Sequence, residues 1–419
     1  MKILVVGGGG REHAIIWKLS QSSKTLEIYC APGNGGISEL AQCIDIRATD
    51  IDNMVEFAIE ESMDLVIVTP DDPLAQGMVD ALEDAGIKAF GPRANAAIIE
   101  GSKVFAKEFM KKYEIPTAGY EVFEDFDKAL SYLEGVSYPL VLKADGLALG
   151  KGVFIAQDSK EARQALKVMM VDNVFGSAGA KVVIEEFLIG PEVSLLAFTD
   201  GKTIVPMVSS QDHKRAYDGD QGPNTGGMGT FSPSRAYTPE IAQFVEKRIL
   251  KPTIEGMNKE GRPFKGIIFL GIMLTQQGPK LLEYNARFGD PETQVVLPRL
   301  GTDLLDILLA IVEEKLDEVH VRWNENAAVC VVLASGGYPE SFTKGYPIHG
   351  IHEVNEQEDI MIFHGGTKKE NGQYLTNGGR VLGLTAVSKD LDTAMNKVYD
   401  TIEGIQFKDM YYRKDIGRE

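Results

Sequence analysis

An apolar run at residues 2–6 ends in four glycines, residues 7–10, and a helix-forming stretch follows from 11 to about 21. A strand apolar on both faces must be covered on both, which constrains the fold more than any other stretch. Further apolar runs at 26–30, 64–68 and 88–90 alternate with helical stretches at 51–61 and 76–85. This alternation predicts a doubly wound parallel sheet, whose ligands lie beyond the C-terminal ends of the strands. The loops there span 7–10, 31–36, 69–74 and 91–92, and with the residues next to them carry Gly10, Arg11, Asn34 and Asp71. Gly7-x-Gly9 begins a dinucleotide fingerprint, but Glu12 stands where its third glycine belongs. A single phosphate at the helix N-terminus beside Arg11 therefore suits the loop better than NAD. A tight turn that only needs glycines would read the same.

At 419 residues the chain exceeds the roughly 250–300 at which one core stops growing, so further domains are expected. The net charge of −18 argues against a nucleic-acid partner, which calls for a basic face, and leaves small anions open. Cys30, Cys43 and Cys330 are too few and scattered for a disulfide framework or a zinc site, and point to reduced thiols in a cytoplasmic protein. The start has no signal-peptide pattern, and the longest apolar run, 267–274, falls short of the ~20 residues that span a bilayer, so no membrane is expected.

In the middle, a helix over 100–112 carries Lys103, and strands are expected at 120–123, 139–143, 181–187 and 192–198. Lys143 leads into a loop punctuated by Gly146, Gly150 and Gly152 and containing Lys151. Such a loop between two strands can lie over a polyphosphate, although a surface hairpin has the same pattern. It is not a P-loop, because a strand follows where that motif needs a helix. Glu186, Phe187 and Leu188 suit a linker reading an adenine edge, with Glu192 on ribose hydroxyls; solvated glutamates are the alternative. Residues 211–229 hold Asp212, His213, Lys214, Arg215 and Asn224 without periodicity, as functional or disordered loops do. Alternation along 281–285 puts Glu283 and Asn285 on one side of a strand, two hard oxygens suited to Mg²⁺, with Arg287 beyond them to hold a carboxylate or phosphate. A polar edge strand is the other reading. A periodic helix at 238–258, a strand at 266–275 paired with 280–285, and a helix at 302–313 follow. Beyond 326 an α+β cap is expected, in which Arg380 closes the substrate site and His349, His352 and His364 have surface or structural roles.

SKVFAKEFM, KADGLALGKGV, EEFLIGPEVS, SQDHKRAYDGDQGPNTGGMG and LLEYNARFGDPET occur in the order of the ATP-grasp carboxylate–amine ligases. With GGGGREH, APGNGG, FGP, TNGGRV and YRKDIG, the whole chain resembles the phosphoribosylamine–glycine ligase family. The resemblance implies an α/β N-terminal domain over 1–102, an ATP-grasp region over 103–325 with a lid at about 120–190, and an α+β domain over 326–419. It implies ligation of glycine to 5-phosphoribosylamine, with ATP as substrate and Mg²⁺ or Mn²⁺ as cofactor. By carry-over, Lys103, Lys143, Lys151, Glu185, Glu186, Phe187, Leu188, Glu192, Lys214, Arg215 and Asn224 would hold ATP, and Glu283 and Asn285 the metal. Asp212, Arg287, Gly289, Asp290 and Pro291 would face glycine and the acyl phosphate, and Gly10, Arg11, Asn34, Asp71 and Arg380 the rest of the substrates. Arg287, Asp212 and Lys143 are the catalytic candidates. Asp71 stands where the family has Glu, and Leu149 where it has Ala. A monomer is expected, with a weak dimer as the alternative. The rival functions are another ATP-grasp ligase and a non-catalytic nucleotide sensor.

Overall fold

The computed structural model describes residues 1–147, 152–172 and 174–418. In the N-terminal region strands β1 (Lys2–Gly7), β2 (Glu27–Pro32), β3 (Gln42–Cys43), β4 (Leu65–Val68) and β5 (Ala89–Phe90) form a parallel sheet in the order β3-β2-β1-β4-β5. Strand alternation sends Ile3 and Val5 into one core and Leu4 and Val6 into another, so the sheet is buried on both faces. The order runs outward in both directions from β1 and β4, which brings the loops after these two strands together. Thr69 Oγ1 ties them, donating to Val6 O or Glu12 Oε1, each at 2.6 Å.

Two expected elements are divided. Residues 69–74, expected as loop, start the short helix Asp71–Ala75, and a second helix, Met78–Asp84, follows Gly77 at φ +89°. Asp71 and Asp72 in the first turn complement the helix dipole, a cue that propensity alone hides. The single helix expected over 100–112 is Ala94–Gly101 followed by Lys103–Lys112, because Ser102 accepts from Phe105 N (3.0 Å) and caps a new start. The helical run at 239–259 continues through a wide turn at Glu246–Leu250, just before Pro252, whose missing N–H removes a helix bond.

The region expected as a lid contains the antiparallel sheet β6 (Tyr120–Phe123), β7 (Leu140–Ala144), β8 (Val153–Ala156) and β9 (Val182–Glu186), ordered β6-β9-β7-β8, with its own core around Leu142, Ile184 and Leu166. Below it β10 (Glu192–Thr199) pairs with β11 (Ile204–Pro206). The segment 211–229, expected without regular structure, is instead built from β12 (Gln211–Asp212) and the hairpin β13 (Arg215–Tyr217)/β14 (Gln221–Asn224), and leads into β15 (Gly229–Ser232). Glycines at positive φ, Gly219 and Gly222, let this polar stretch turn back on itself. Strands β16 (Gly266–Thr275) and β17 (Gly278–Asn285) complete the sheet β11-β10-β16-β17. At the C-terminal end β18 (Ala327–Ala334), β19 (Ile360–His364), the hairpin β20 (Thr367–Glu370)/β21 (Gln373–Thr376) and β22 (Arg380–Ser388) follow. The sheet there runs β12-β15-β18-β22-β19, so two strands from the 211–232 segment are built into it.

Candidate active site

A cleft of about 810 Å³ opens at the end of β17. Alternation aims Glu283 and Asn285 into it, while Tyr284 points the other way, its hydroxyl 2.7 Å from Thr253 Oγ1. Burial opposes charge on Glu283, but Lys214, Lys143, Lys103 and Arg287 outweigh it and hold the carboxyl below its ordinary range. An ionised carboxylate beside an amide oxygen is a hard donor pair. It fits a Mg²⁺-type ion that takes one or two protein ligands and completes its shell from phosphate and water. No described group of three His, Cys, Asp or Glu gathers as a metal cage, and this kind of site needs none.

The cations come from separate elements. Lys103, at the first turn of its helix, donates to Gly146 O (2.8 Å). Lys143 Nζ lies 3.1 Å from Glu185 Oε1 and donates to Leu282 O (3.3 Å). On the other side of Glu185 stands Lys107, 3.0 Å away, whose pKa burial pushes down to about 8. Glu185 is thus enclosed between two lysines. Its carboxylate braces them, and the residue lines the cleft beside Phe187 and Leu188. Glu186, next along the strand, faces outward and accepts from Gly119 N (3.0 Å) and Lys280 Nζ (2.9 Å). Phe187 and Leu188 line the cleft, as do Glu192, Lys214, Arg215 and Asn224. Lys214 pairs with Glu192, and the hairpin register sets Arg215 opposite Asn224. The positions of Lys151 and Leu149 fall outside the described residues.

Arg287 is paired with Glu100 Oε1 (3.1 Å) and donates to Phe288 O (3.2 Å), while its buried Nε has no hydrogen-bond partner among the described residues. Asp212 Oδ1 is likewise buried without one. Burial, followed by the charge of Glu292, raises the Asp212 carboxyl well above its usual range; burial also raises Glu292, which accepts from Ser194 Oγ (3.1 Å). The close approach here demands glycines. A Cβ on Gly227 would stand 2.7 Å from Asp212 Oδ1 and 2.4 Å from Pro291 Cδ, and one on Gly289 would stand 2.4 Å from Glu292 Oε2. Asp290 accepts from Gln294 Nε2 (2.8 Å) and pairs with Arg380 (3.4 Å). Arg380 also donates to Gly226 O and Asp290 O, both at 2.8 Å. Asp290 and Arg380 also line a second cavity of about 300 Å³ with Gly8, Gly9 and Gly10.

Arg11 and Asp71 line the main cleft. Glu12, in the position of the missing third glycine, accepts from Gly9 N and Arg11 Nε, both at 2.6 Å. It thereby occupies a donor that a pyrophosphate would need, in keeping with the expectation that the loop suits a single phosphate better than a dinucleotide. Asn34 spends its whole amide on backbone: Nδ2 donates to Gly8 O (2.9 Å) and His364 O (2.7 Å), and Oδ1 accepts from Gly36 N (2.9 Å) and Ile37 N (3.0 Å). It shapes the loop, and a direct bond to substrate would cost one of these. His364 is buried near His13, whose Nδ1 accepts its backbone N–H (2.8 Å), a structural role as expected.

Lys107, Glu100 and Glu292 were absent from the sequence reading. Lys107 lies four residues after Lys103, hence on the same helix face, and that spacing was the available signal. Glu292 ends the NARFGDPE string, which was its signal, whereas Glu100 carried none, since only the fold brings it to Arg287.

Three family models match the chain: the N domain of phosphoribosylglycinamide synthetase over residues 1–100, its ATP-grasp (A) domain over 101–293 and its C domain over 328–419. A curated relative from Caldanaerobacter subterraneus, named phosphoribosylamine–glycine ligase, is 49% identical over 417 residues, covering 100% of this chain and 99% of its own. The crystal structure of phosphoribosylamine–glycine ligase from Thermotoga maritima matches with a TM-score of 0.87 at 33% identity, covering 99% of this chain and 100% of that one. The biotin carboxylase domain of a 2-oxoglutarate carboxylase from Hydrogenobacter thermophilus, solved with MgADP and bicarbonate, shares the fold, with a TM-score of 0.75 at 15% identity over 98% of this chain and 91% of that one.

Proposed function

The chain belongs to the phosphoribosylglycinamide synthetase family, and from that premise we propose how its cleft divides the work. The enzyme is an ATP-dependent carbon–nitrogen ligase of purine biosynthesis that joins glycine to 5-phosphoribosylamine, giving glycinamide ribonucleotide, ADP and phosphate. A free carboxylate is a poor acylating agent. Glycine's carboxylate therefore attacks the γ-phosphorus of ATP, ADP leaves, and glycyl phosphate forms. The neutral amine of phosphoribosylamine then attacks the acyl carbon and expels phosphate.

Phosphoryl transfer asks a protein for position and charge rather than a nucleophile. Lys103, Lys143, Lys214 and Arg215 supply the positive charge along the phosphates, and Phe187 and Leu188 cover the adenine. Glu283 and Asn285 would hold Mg²⁺ or Mn²⁺, which would neutralise charge on the transferring phosphoryl group. Arg287 holds the glycine carboxylate through the donors Glu100 leaves it. Asp212 and Glu292, two buried carboxyl groups that disfavour a double charge, suit the ammonium end of glycine. Arg11 and Asp71 face the phosphoribosyl group, with Gly10 and Arg380 at the neighbouring cavity. The lid around 120–190 excludes water, which would hydrolyse the acyl phosphate. The enzyme works in the cytoplasm as a monomer, on small molecules alone.

The observation carrying this reading is the Glu283 carboxylate kept ionised by four converging cations beside Asn285. ADP release by the purified protein should require glycine and phosphoribosylamine together with Mg²⁺. Release driven by bicarbonate instead, or ATP binding without turnover, would overturn it.

A further inference from the structure

We propose that Arg413, near the C-terminus, is a positioning residue for ATP: the tail clamps the β13/β14 hairpin and holds its cationic face towards the cleft. This rests on the reading that Lys214, Arg215 and Asn224 face the phosphates.

The site described above uses nothing from the YRKDIG stretch, residues 412–417. Yet Arg413 is 1% exposed, and a charge so buried is tolerated only when fully paired. Nε and Nη2 donate to the two oxygens of Asp415, each at 2.7 Å, a two-pronged pair within the tail. Nη1 crosses to the hairpin, donating to Asp220 Oδ1 (2.7 Å) and Arg215 O (3.2 Å). The hairpin answers from its turn: Gly219 N donates to Asp415 Oδ2 (2.8 Å), while Asp218 Oδ1 accepts from Lys414 N (2.7 Å). The rings of Tyr217 and Tyr411 lie 6.0 Å apart.

The clamp is anchored and the hairpin is not. Tyr399 OH donates to Arg413 O (2.9 Å) and accepts from Ile416 N (3.0 Å), and Tyr411 is bonded to Ala334 of β18 in both directions. The hairpin, by contrast, leaves Tyr217 51% exposed and Gln221–Asn224 open to solvent. A lone two-stranded ribbon is marginal in water, so its order is borrowed from the C-terminal domain. Side chains ordered in advance lose less freedom when ligand arrives, and the gain falls on ATP.

The test uses the full-length chain. In Arg413→Ala, KM for ATP should rise about tenfold while KM for glycine stays within about twofold. Amide exchange should quicken over residues 215–224 and not over β22. Arg413→Lys, which keeps the charge without the two-pronged geometry, should fall between. Should Arg413→Ala fail to fold, Asp415→Ala breaks the same clamp from outside the cleft and should raise KM for ATP about fivefold. Hairpin amides that exchange at the parental rate in a folded variant would refute the clamp. A loosened hairpin with unchanged KM for ATP would instead refute the phosphate-facing reading on which it rests.

Discussion

At the end of β17 the polar side chains meet mainly one another, whereas in the loops after β1 and β2 they meet mainly backbone. Glu283 sits among Lys214, Lys143, Lys103 and Arg287, and 36% of its side chain faces the open cleft. Asn34 is spent wholly on Gly8, Gly36, Ile37 and His364, and Glu12 divides between Gly9 N and the side chains of Arg11 and Thr69. The first region gathers opposite charges around an open cleft, as the proposed metal and phosphate site requires. The second is finished before any ligand arrives and offers shape. Removing a side chain should therefore cost catalysis in the first region and stability in the second.

The largest effect separates them most sharply. Arg287→Ala should lower turnover at least about a hundredfold, ~3 kcal/mol of barrier, while the protein remains folded by circular dichroism. Turnover close to normal would remove Arg287 from the chemistry and blur the contrast. Asn34→Ala should do the reverse, lowering unfolding free energy by about 2 kcal/mol in denaturant titration with KM for ATP unmoved, because four backbone groups lose their partner. A KM effect without a stability loss would move Asn34 into the ligand's reach. In Glu283→Gln the Mg²⁺ concentration for half-maximal rate should rise about tenfold, ~1.4 kcal/mol, with an unchanged melting temperature.

The smallest expected effect is one of pH, in the second region. Burial lowers the pKa of His13 from 6.5 to about 4. Between those values the unfolded chain binds the extra proton, so stability rises with pH there and is lost as pH falls below 6.5. The His13 share should reach up to about 1 kcal/mol by pH 6, and His13→Asn should reduce the slope without abolishing it, because burial lowers His213 and His364 as well. A slope untouched by that substitution would assign the acid sensitivity to other groups.

The same division explains what could be read in advance. The parallel sheet was legible because Ile3 to Val6 are apolar on both faces, and the polar, cleft-facing side of β17 because Glu283 and Asn285 alternate with Tyr284. Glu283 and Asn285 also belong to a local string, LLEYNARFGDPET, in which the expected chemistry and the order of residues coincide. Lys107 was within reach through its spacing from Lys103. The full use of Asn34 by backbone was not, since two of its four partners come from the loop after β1 and from β19, far away in the chain. Nor was the pairing of β15 with β18, which depends on long-range register rather than local pattern.

That pairing bears on how the protein is made. Strand β15 leaves the ribosome about a hundred residues before β18, the neighbour it will bond to through Phe231 and Val329. At ~5–20 residues per second the nascent chain must keep this edge unsatisfied for roughly 5–20 s. The enzyme thus cannot mature one module at a time from its amino end. Strand β15 completes its pairing only once β18 has been translated.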